Sequence, residues 1–377
     1  MDKIQMVDLI TQYKSIEDEV NSAISNILNT AKFIKGPDVH AFQDELASYL
    51  KADHVIACGN GTDALQIALM ALDLKPGDEV ITPSYTYIAT TEVIGLLGLT
   101  PVFVDCDPKT FNVSPEAIEK AVSAKTKAIV PVHLYGQSCD MESIMKVAKK
   151  YDLYVIEDNA QAIGADYTFN NGTTKKTGTI GHIGCTSFFP SKNLGCFGDG
   201  GALCTNDKKL ATKISKIANH GQKERYYHEM IGCNSRLDTI QAAVLRIKLR
   251  KLNEYLAARQ KAAAFYDDFF KKYKEITTPY RDTKSTHVFH QYTLQLDNKI
   301  DRDGLVDFLA KREIPAMIYY PVPAHRQEMF SKINKRSGDL SVTDALTTKV
   351  ISLPMHTELT NEQLTYICGG VRDFIEK

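Results

Sequence analysis

The segment that decides how this chain is interpreted is Ser187-Phe-Phe-Pro-Ser-Lys-Asn-Leu-Gly-Cys-Phe-Gly-Asp-Gly-Gly201. It places one lysine, Lys192, in an apolar, aromatic and glycine-rich loop. A lysine held in such a loop is poorly solvated, which lowers its pKa and makes its amine a better nucleophile. The alternative is a solvated surface lysine, which is the usual state of this residue type. The neighbouring Phe188, Phe189 and Phe197 argue against that alternative.

The loop around Lys192 joins two predicted strands, over residues 186–189 and 201–205, and closes a region of regular alternation. From about residue 53 onward, apolar runs of strand length are separated by amphipathic stretches of helix length. This alternation predicts a mostly parallel sheet that is covered by helices on both faces. The other predicted strands are 54–58, 79–82, 101–105, 128–132 and 153–157, and the predicted helices are 62–71, 87–97, 115–121, 141–151 and 208–218.

The rest of the chain predicts a smaller α+β lobe. With 377 residues, the chain exceeds the roughly 250–300 residues at which a single hydrophobic core stops growing. Helical periodicity from residue 237 to 273 predicts a connecting helix. We therefore expect a large domain over residues 1–250, with roughly the first 30 residues as a helical arm, and a small domain over 251–377. The elements predicted there are strand 291–296, helix 303–312, strands 316–320 and 350–352, and a closing helix from residue 361.

Charge and composition argue against several classes of protein. The formal net charge is −1, which is too weak to attract a polyanion, so nucleic acid is not expected as a partner. No apolar run approaches the roughly 20 residues of a membrane helix, and the charged N-terminus does not resemble a secretory signal. The eight cysteines have no CxxC spacing, which fits reduced thiols in the cytoplasm. His287 and His290 would face opposite sides of a strand-like run, so no metal site is predicted.

A phosphate site is predicted at Gly59-Asn-Gly-Thr-Asp-Ala64, which follows a strand and opens a helix. Glycines let the backbone approach a ligand, and a helix N-terminus offers unpaired N–H groups and a positive dipole end. The segment also matches the GxGxxA pattern of NAD-dependent oxidoreductases. That pattern requires an acidic residue at the end of the second strand, whereas Asp78 and Glu79 precede it, so we reject this interpretation. A tight turn without a ligand remains the alternative.

A further polar signal is Leu153-Tyr-Val-Ile-Glu-Asp-Asn-Ala-Gln161, in which Asp158 follows a predicted buried strand. Open α/β sheets bind ligands at this edge. A carboxylate there favours the charged form of a ring nitrogen by roughly 1–3 pKa units. Gln161 would lie beside it and donate to a ring oxygen. An aspartate that caps a following helix is an equally good interpretation of these residues alone.

Together with Cys233-Asn-Ser-Arg-Leu-Asp-Thr-Ile-Gln-Ala-Ala243, these segments resemble the DegT family of sugar-nucleotide aminotransferases. The resemblance runs from about Met6 to the C-terminus and is most specific around Lys192. It implies the fold of aspartate aminotransferase, fold type I. This fold has a large α/β domain with a seven-stranded, mostly parallel sheet and a smaller C-terminal α+β domain. The resemblance also implies a homodimer whose active sites are shared between the subunits.

The resemblance also implies roles for particular residues, with pyridoxal 5'-phosphate as the cofactor. Lys192 corresponds to the lysine that holds the cofactor as a Schiff base, and Asp158 to the partner of its ring nitrogen. Gln161 corresponds to the residue beside the ring hydroxyl, and Tyr87 to the aromatic residue that stacks on the ring. The residues implied for the phosphate are Gly61, Thr62, Asp63 and Ser187, with Asn234 reaching it from the other subunit.

The activity that the resemblance implies is transfer of an amino group from glutamate to a nucleotide-linked keto-sugar. Segments 132–137, 219–227 and 232–238 resemble those members that aminate C3 of UDP-2-acetamido-2-deoxy-3-oxo-glucuronate, for surface polysaccharide such as lipopolysaccharide O-antigen. The alternative substrate is a dTDP-3-keto-6-deoxyhexose. The alternative class is a non-catalytic, PLP-binding regulatory protein, which would not need Lys192 together with Asp158 and Gln161.

The sugar is expected to contact Arg236, Tyr319, Tyr320 and His325. A uronate needs a cation, and the guanidinium of Arg236 is suited to hold a carboxylate through two hydrogen bonds. A salt bridge across the dimer interface is an equally good expectation for Arg236. Tyr319 stands where the resembling enzymes usually carry histidine, so the sugar pocket is expected to differ there.

Overall fold

The structure is a computed structural model that describes residues 3–377. Within residues 3–377 there are twelve α-helices, and seven of them follow a residue whose side chain caps their first turn. They are α1 Leu9–Lys14, α2 Glu17–Thr30, α3 Pro37–Leu50, α4 Gly61–Ala71, α5 Ala89–Leu96, α6 Pro115–Ala121, α7 Met141–Tyr151, α8 Lys208–Ile217, α9 Thr239–Phe270, α10 Arg302–Ala310, α11 Ser341–Lys349 and α12 Asn361–Ile375.

Residues 3–377 also form fifteen strands, which alternate with helices between residues 54 and 158. They are β1 His54–Cys58, β2 Glu79–Pro83, β3 Thr100–Val104, β4 Thr126–Ile129, β5 Tyr154–Asp158, β6 Asp166–Thr168, β7 Thr174–Lys176, β8 Ile183–Ser187, β9 Gly201–Thr205, β10 Gln222–Glu224, β11 Tyr227–His228, β12 Ile276–Thr277, β13 Tyr292–Leu296, β14 Arg336–Ser337 and β15 Val350–Leu353.

The large sheet has the order β1-β9-β8-β5-β4-β2-β3-β14. The pairs from β8 to β14 are parallel, and β9 lies antiparallel between β1 and β8. The mostly parallel sheet expected from the alternation is confirmed. Seven of its strands correspond to the predicted ones. The eighth is the two-residue β14, which is too short to leave a pattern in the sequence.

Helices cover both faces of this sheet because successive side chains of a strand point to opposite sides. Helices α3 and α9 form one cluster with Ala202 and Cys204 of β9. Helices α4 and α8 form another with Leu203 of the same strand. Helix α3 is not among the predicted helices, although Pro37 opens it and its buried side chains recur at helical spacing.

The second lobe contains the antiparallel sheet β12-β13-β15, and its core includes residues of α9, α10 and α12. The predicted strand over residues 316–320 is wrong, because only Met317 forms a bridge, with Ser352. Pro315 and Pro321 flank that segment, and proline has no N–H for the ladder. Helix α9 continues through residue 250 without a break. The domain boundary at that residue stays a prediction.

The N-terminal arm consists of two helices, α1 and α2, where one was predicted. Ile16 and Val20 pack against Val244 and Ile247 of α9, and Ile4 is part of the core of the second lobe. The arm therefore contacts both parts of the chain. Within residues 3–377, none of the helices combines the length and apolar character that crossing a membrane requires.

Candidate active site

The loop that carries Lys192 connects β8 to β9 and is fixed by its own backbone. The N–H groups of Phe188 and Cys196 donate to the carbonyl oxygens of Gly200 and Phe188 at 2.7 and 2.8 Å. The Lys192 N–H donates to the carbonyl oxygen of Phe189 at 2.8 Å. Because β8 runs parallel to β5, this loop starts at the edge of the sheet where β5 ends.

A second lysine, Lys248, binds the backbone of this loop. Lys248 of α9 is 2% exposed, and its Nζ donates to the carbonyl oxygen of Gly195 at 2.8 Å. The same Nζ lies 4.9 Å from the centroid of the Phe197 ring. Burial lowers the pKa of Lys248 to about 8. Lys248 is not among the predicted site residues, because a lysine in a helix usually faces solvent.

The Lys192 side chain is half-buried, and its amine is poorly solvated. Burial lowers the pKa of Lys192 to about 8, although the nearby carboxylate of Asp158 acts to raise it. A larger fraction of this amine is therefore neutral near pH 8 than for an exposed lysine. This is the environment that a nucleophilic amine requires.

Asp158 is the last residue of β5 and is 4% exposed. Its Oδ2 accepts a hydrogen bond from the Thr90 hydroxyl at 2.7 Å, and its Oδ1 accepts one from the Ala160 N–H at 3.1 Å. Burial raises the pKa of Asp158, while these hydrogen bonds and the charge of Lys192 act to lower it. Residues 160–164 form turns, so Asp158 does not cap a helix. A cationic group beside it would favour the ionised carboxylate.

Glu157, the neighbour of Asp158, is fully buried and takes part in a polar network that the sequence analysis missed. It accepts a hydrogen bond from His133 Nε2 at 2.8 Å, and His133 Nδ1 accepts one from the Cys139 N–H at 3.1 Å. The proton of His133 therefore lies on Nε2. Burial acts to raise the pKa of Glu157, but its hydrogen bonds hold that pKa below the usual value. The backbone donors to Glu157 are Gly178, Ile180 and Gly181.

The N-terminus of α4 offers unpaired backbone donors. Asn60 caps the helix, and its Oδ1 accepts a hydrogen bond from the Asp63 N–H at 2.8 Å. The N–H groups of Gly61 and Thr62 find no acceptor among residues 3–377. Unpaired N–H groups and the positive end of the helix dipole together favour an anion such as phosphate.

Glycines bring this helix end against the strands that flank the Lys192 loop. A Cβ on Gly61 would lie 2.6 Å from the Cβ of Ser187, and a Cβ on Gly201 would lie 2.4 Å from the carbonyl carbon of Asn60. Only glycine fits at either position, since real Cβ atoms do not approach so closely. The close approach places the Ser187 side chain beside the first residue of α4.

Gln161 connects the large domain to the second lobe. Its Oε1 accepts a hydrogen bond from the Tyr135 N–H at 2.6 Å, and its Nε2 donates to the Tyr320 hydroxyl at 2.9 Å. The carbonyl oxygen of Tyr319 accepts from the hydroxyls of Tyr85, at 2.7 Å, and Tyr135. The amide has a second N–H that this bond leaves available, and the predicted contact of Gln161 with a ring hydroxyl stays a prediction.

Tyr87 and His325 lie near the carboxyl end of β2. Tyr87 is 57% exposed, and its ring centroid is 6.2 Å from that of Tyr320. His325 Nδ1 lies 2.7 Å from the Ser84 hydroxyl, and its Nε2 lies 3.5 Å from an Asp344 carboxylate oxygen. Ser84 is fully buried, so this Ser-His-Asp arrangement presents no accessible nucleophile. The role of His325 in binding sugar stays a prediction.

The segment with Asn234 and Arg236 lies beside α4. Ser235, between them, donates through its hydroxyl to the Asp63 carboxylate at 2.6 Å. Asn234 is exposed. The Arg236 guanidinium donates to the Asn219 side-chain oxygen at 3.3 Å, and no carboxylate within residues 3–377 forms an ion pair with it. A uronate contact and a salt bridge to another subunit both remain open for Arg236.

The structure thus brings the predicted residues into separate groups. Lys192 and Asp158 form one group. The first turn of α4 and Ser187 form a second, and Gln161 with Tyr320 forms a third. Asn234 and Arg236 adjoin the second group, whereas His325 is held by Ser84.

Comparisons with known proteins identify the family. The model of the DegT/DnrJ/EryC1/StrS aminotransferase family matches residues 14–372. The chain therefore belongs to this family, and the class of enzyme expected from its motifs, a sugar aminotransferase, is confirmed. 

Three relatives match over 98% of this chain and nearly their whole length. The UDP-2-acetamido-2-deoxy-3-oxo-D-glucuronate aminotransferase of Pseudomonas aeruginosa is 45% identical, with 99% of its length covered. The pleiotropic regulatory protein of Geobacillus stearothermophilus is 44% identical, with 98% covered. The UDP-N-acetyl-3-dehydro-alpha-D-glucosamine 3-aminotransferase of Acidithiobacillus ferrooxidans is 43% identical, with 97% covered.

Among solved structures, DesV of S. venezuelae in complex with a ketimine intermediate is 36% identical to this chain. The match has a TM-score of 0.94 and covers 100% of both chains. The expected fold type I is therefore confirmed.

Proposed function

We propose that this chain uses pyridoxal 5'-phosphate to move the amino group of glutamate to C3 of UDP-2-acetamido-2-deoxy-3-oxo-glucuronate. The observation that carries this proposal is the poorly solvated amine of Lys192 beside the buried carboxylate of Asp158. The substrate is supported by the Pseudomonas aeruginosa relative, which is named for this sugar.

The residues present fit the cofactor. The unpaired N–H groups of Gly61 and Thr62, with the Ser187 side chain beside them, suit its phosphate. The carboxylate of Asp158 can pair with a protonated ring nitrogen, and the amine of Lys192 can form a Schiff base with the aldehyde of the cofactor. Bound there, the cofactor supplies a carbonyl for the donor amine and an electron sink for the carbanion.

The residues of the chain supply binding, charge and proton transfer. The ionised carboxylate of Asp158 keeps the ring nitrogen protonated. Lys192 Nζ accepts the proton from the donor's Cα, and a pKa of about 8 suits this work near neutral pH. Gln161 and Tyr87 orient the ring, and Arg236 faces the uronate carboxylate. Tyr319, Tyr320 and His325 contact the sugar.

The active form is a homodimer in which Asn234 reaches the phosphate of the other subunit. The support for this arrangement is the exposure of the Asn234 side chain, which leaves it free to contact a second subunit. The aminated product is an activated sugar, and the class of reaction that consumes it is glycosyl transfer. Surface polysaccharide, such as lipopolysaccharide O-antigen, is the destination we propose.

A PLP-binding regulatory protein is the second candidate, because the Geobacillus stearothermophilus relative is named a pleiotropic regulatory protein. A protein that only binds the cofactor does not require an amine of lowered pKa opposite Asp158. We therefore favour the enzyme.

The test is an amination screen of the purified, PLP-loaded protein. Glutamate would be combined in turn with the UDP-keto-uronate, with its C6-hydroxymethyl counterpart and with a dTDP-3-keto-6-deoxyhexose, and the products identified by mass. We expect the uronate to give the largest kcat/KM. Loss of the visible cofactor absorbance on adding glutamate reports the donor half-reaction separately. No amino sugar and no loss of absorbance would favour the regulatory candidate.

A further inference from the structure

One face of helix α9 contacts the backbone of the loop that carries Lys192. Gln241 of this helix makes two hydrogen bonds to Phe197: its Oε1 accepts from the Phe197 N–H at 2.8 Å, and its Nε2 donates to the Phe197 carbonyl oxygen at 3.3 Å. Two turns further along the helix, Lys248 Nζ donates to the carbonyl oxygen of Gly195 at 2.8 Å. A single helix therefore holds two residues of the loop through three hydrogen bonds.

The residues held by α9 pack against the part of the loop that precedes Lys192. A Cβ on Gly195 would lie 2.3 Å from the carbonyl oxygen of Pro190, so the two backbones are in direct contact. The next residue, Cys196, donates through its N–H to the carbonyl oxygen of Phe188 at 2.8 Å. Lys192 lies in the chain between these two contacting stretches, so a shift of the second stretch would move its amine.

Lys248 is held by the loop rather than by an acidic side chain. It is almost fully buried, and within residues 3–377 it forms no ion pair, whereas Arg246 on the same helix binds two carboxylates. The partners of its amine are the Gly195 carbonyl oxygen and the Phe197 ring, whose centroid lies 4.9 Å from Nζ. The pKa of Lys248 is lowered because the charged amine is costly to remove from water. An apolar side chain of similar length would therefore remove a costly charge together with the contact to the loop.

A separate contact keeps the loop attached on its other side. Asn193, the residue after Lys192, donates through Nδ2 to the carbonyl oxygen of Val288 at 3.0 Å. Val288 belongs to the segment that precedes β13 and is buried in the same core cluster as much of α9. Because this anchor does not involve Gln241 or Lys248, loss of the α9 contacts should displace the loop without detaching it.

We propose that Gln241 and Lys248 are positioning residues, which fix the amine of Lys192 relative to Asp158 by holding the backbone of residues 195–197. The inference rests on the proposed function, because it assumes that this amine reacts with the aldehyde of the cofactor. Reacting atoms must be placed about 3–3.5 Å apart, and a misplacement of about 1 Å costs up to about a hundredfold in rate. The two side chains act through the loop, and neither takes part in the reaction itself.

The test uses two variants and one control. Lys248→Met keeps the length of the side chain and removes its donor, and Gln241→Leu removes both hydrogen bonds to Phe197 at nearly constant size. The control is Lys261→Met, the same change at an exposed position of α9. Gln241 is half-buried, so Gln241→Leu decides the question by itself if Lys248→Met does not fold.

Hydrogen exchange of the apoprotein, followed by mass, tests the hold on the loop without the cofactor. The informative peptides cover residues 188–196, because none of the amides there donates to Gln241 or Lys248. We expect these peptides to exchange about tenfold faster in both variants and at the wild-type rate in the control, while β13 in the second lobe is unchanged. Equal acceleration in β13 would show a general loss of stability and would overturn the inference.

Schiff-base formation tests the position of the amine. Pyridoxal 5'-phosphate would be added to each apoprotein, and the rate measured by the visible absorbance of the Schiff base. We expect the rate to fall about tenfold or more in both variants and to stay at the wild-type value in the control. Exchange and rates within about twofold of the wild type in every folded variant would overturn the inference.

The two measurements separate this inference from the proposed function. If the wild type transfers no amino group, but both variants speed exchange in residues 188–196 and slow Schiff-base formation, the positioning roles stand and the proposed function fails. If the wild type transfers amino groups and both variants match it in exchange and in the rate of Schiff-base formation, the positioning roles fail alone.

Discussion

Two sides of the candidate site are built differently. The cofactor side, defined here as Lys192, Asp158, the first turn of α4 and Ser187, lies at the ends of regular elements of one sheet. The substrate side, defined as Tyr319, Tyr320, His325 and Arg236, lies on segments without an α-helix or a long strand. Its Tyr319, Tyr320 and His325 are held by residues far away in the sequence, which are Tyr85, Gln161 and Ser84 respectively.

The difference explains why sequence motifs indicate the cofactor side more clearly than the substrate side. The ends of parallel strands meet at one edge of a sheet, so a motif at each strand end is already placed near the others. An irregular segment gains its position only from contacts across the fold. Substitutions on the cofactor side should therefore affect every substrate alike, whereas those on the substrate side should distinguish one sugar from another.

The largest expected effect is that of Lys192→Ala, which should abolish turnover with every sugar. Its fold should persist, because the change removes an amine whose desolvation is unfavourable, as its lowered pKa indicates. Turnover by product mass and thermal unfolding of the apoprotein check both statements. Lys209→Ala on the exposed face of α8 serves as the control. Normal turnover in Lys192→Ala would refute the assignment of the whole cofactor side.

Asp158→Ala should lower kcat by orders of magnitude with all sugars, because the ring nitrogen would lose the charge that keeps it protonated. Thr90→Val removes only the hydroxyl that donates to Asp158, so its effect should be smaller, about tenfold or less. Steady-state kinetics with the uronate and the hydroxymethyl sugar measure both. If kcat of Asp158→Ala fell by less than about tenfold, or 1.4 kcal/mol, the role of Asp158 would be structural rather than catalytic.

Asn234→Ala should weaken the enzyme through the dimer. Consider a heterodimer of one Asn234→Ala subunit and one Lys192→Ala subunit. If Asn234 acts across the interface, one of the two active sites contains both substitutions and the other contains neither. Mixing the two inactive or weak proteins and allowing subunit exchange should then raise activity. If activity does not rise although exchange is verified by mass, Asn234 serves its own subunit, as the contact of Ser235 with Asp63 would allow.

The smallest and most selective effect is expected for Arg236→Ala. It should lower kcat/KM for the uronate by about tenfold, since a charge-assisted hydrogen bond would be lost, and leave the glutamate half-reaction unchanged. The ratio of kcat/KM for the uronate to that for the dTDP-keto-deoxyhexose is the measurement. Arg250→Ala, which removes an exposed partner of Glu19, is the control. Equal losses with both sugars would place Arg236 in an interface rather than in the sugar pocket.

Much of the fold was predictable because the pattern of apolar residues is local. The strands with long buried runs were located to within a few residues, and α6 and α7 have the predicted bounds. The failures have local causes too. Strand 316–320 looked apolar enough to pair, but its flanking prolines limit it to one bridge at Met317. The two-residue β14 had no pattern to detect.

The sequence by itself determined the class of enzyme, because the glycines, Lys192 and Asp158 stand in short motifs at strand ends. Only the tertiary structure decided what surrounds them. The Thr90 hydroxyl on Asp158, the Glu157–His133 network and Lys248 under the loop join residues that are far apart in the chain. Such contacts depend on how separate elements pack, and no local periodicity encodes them.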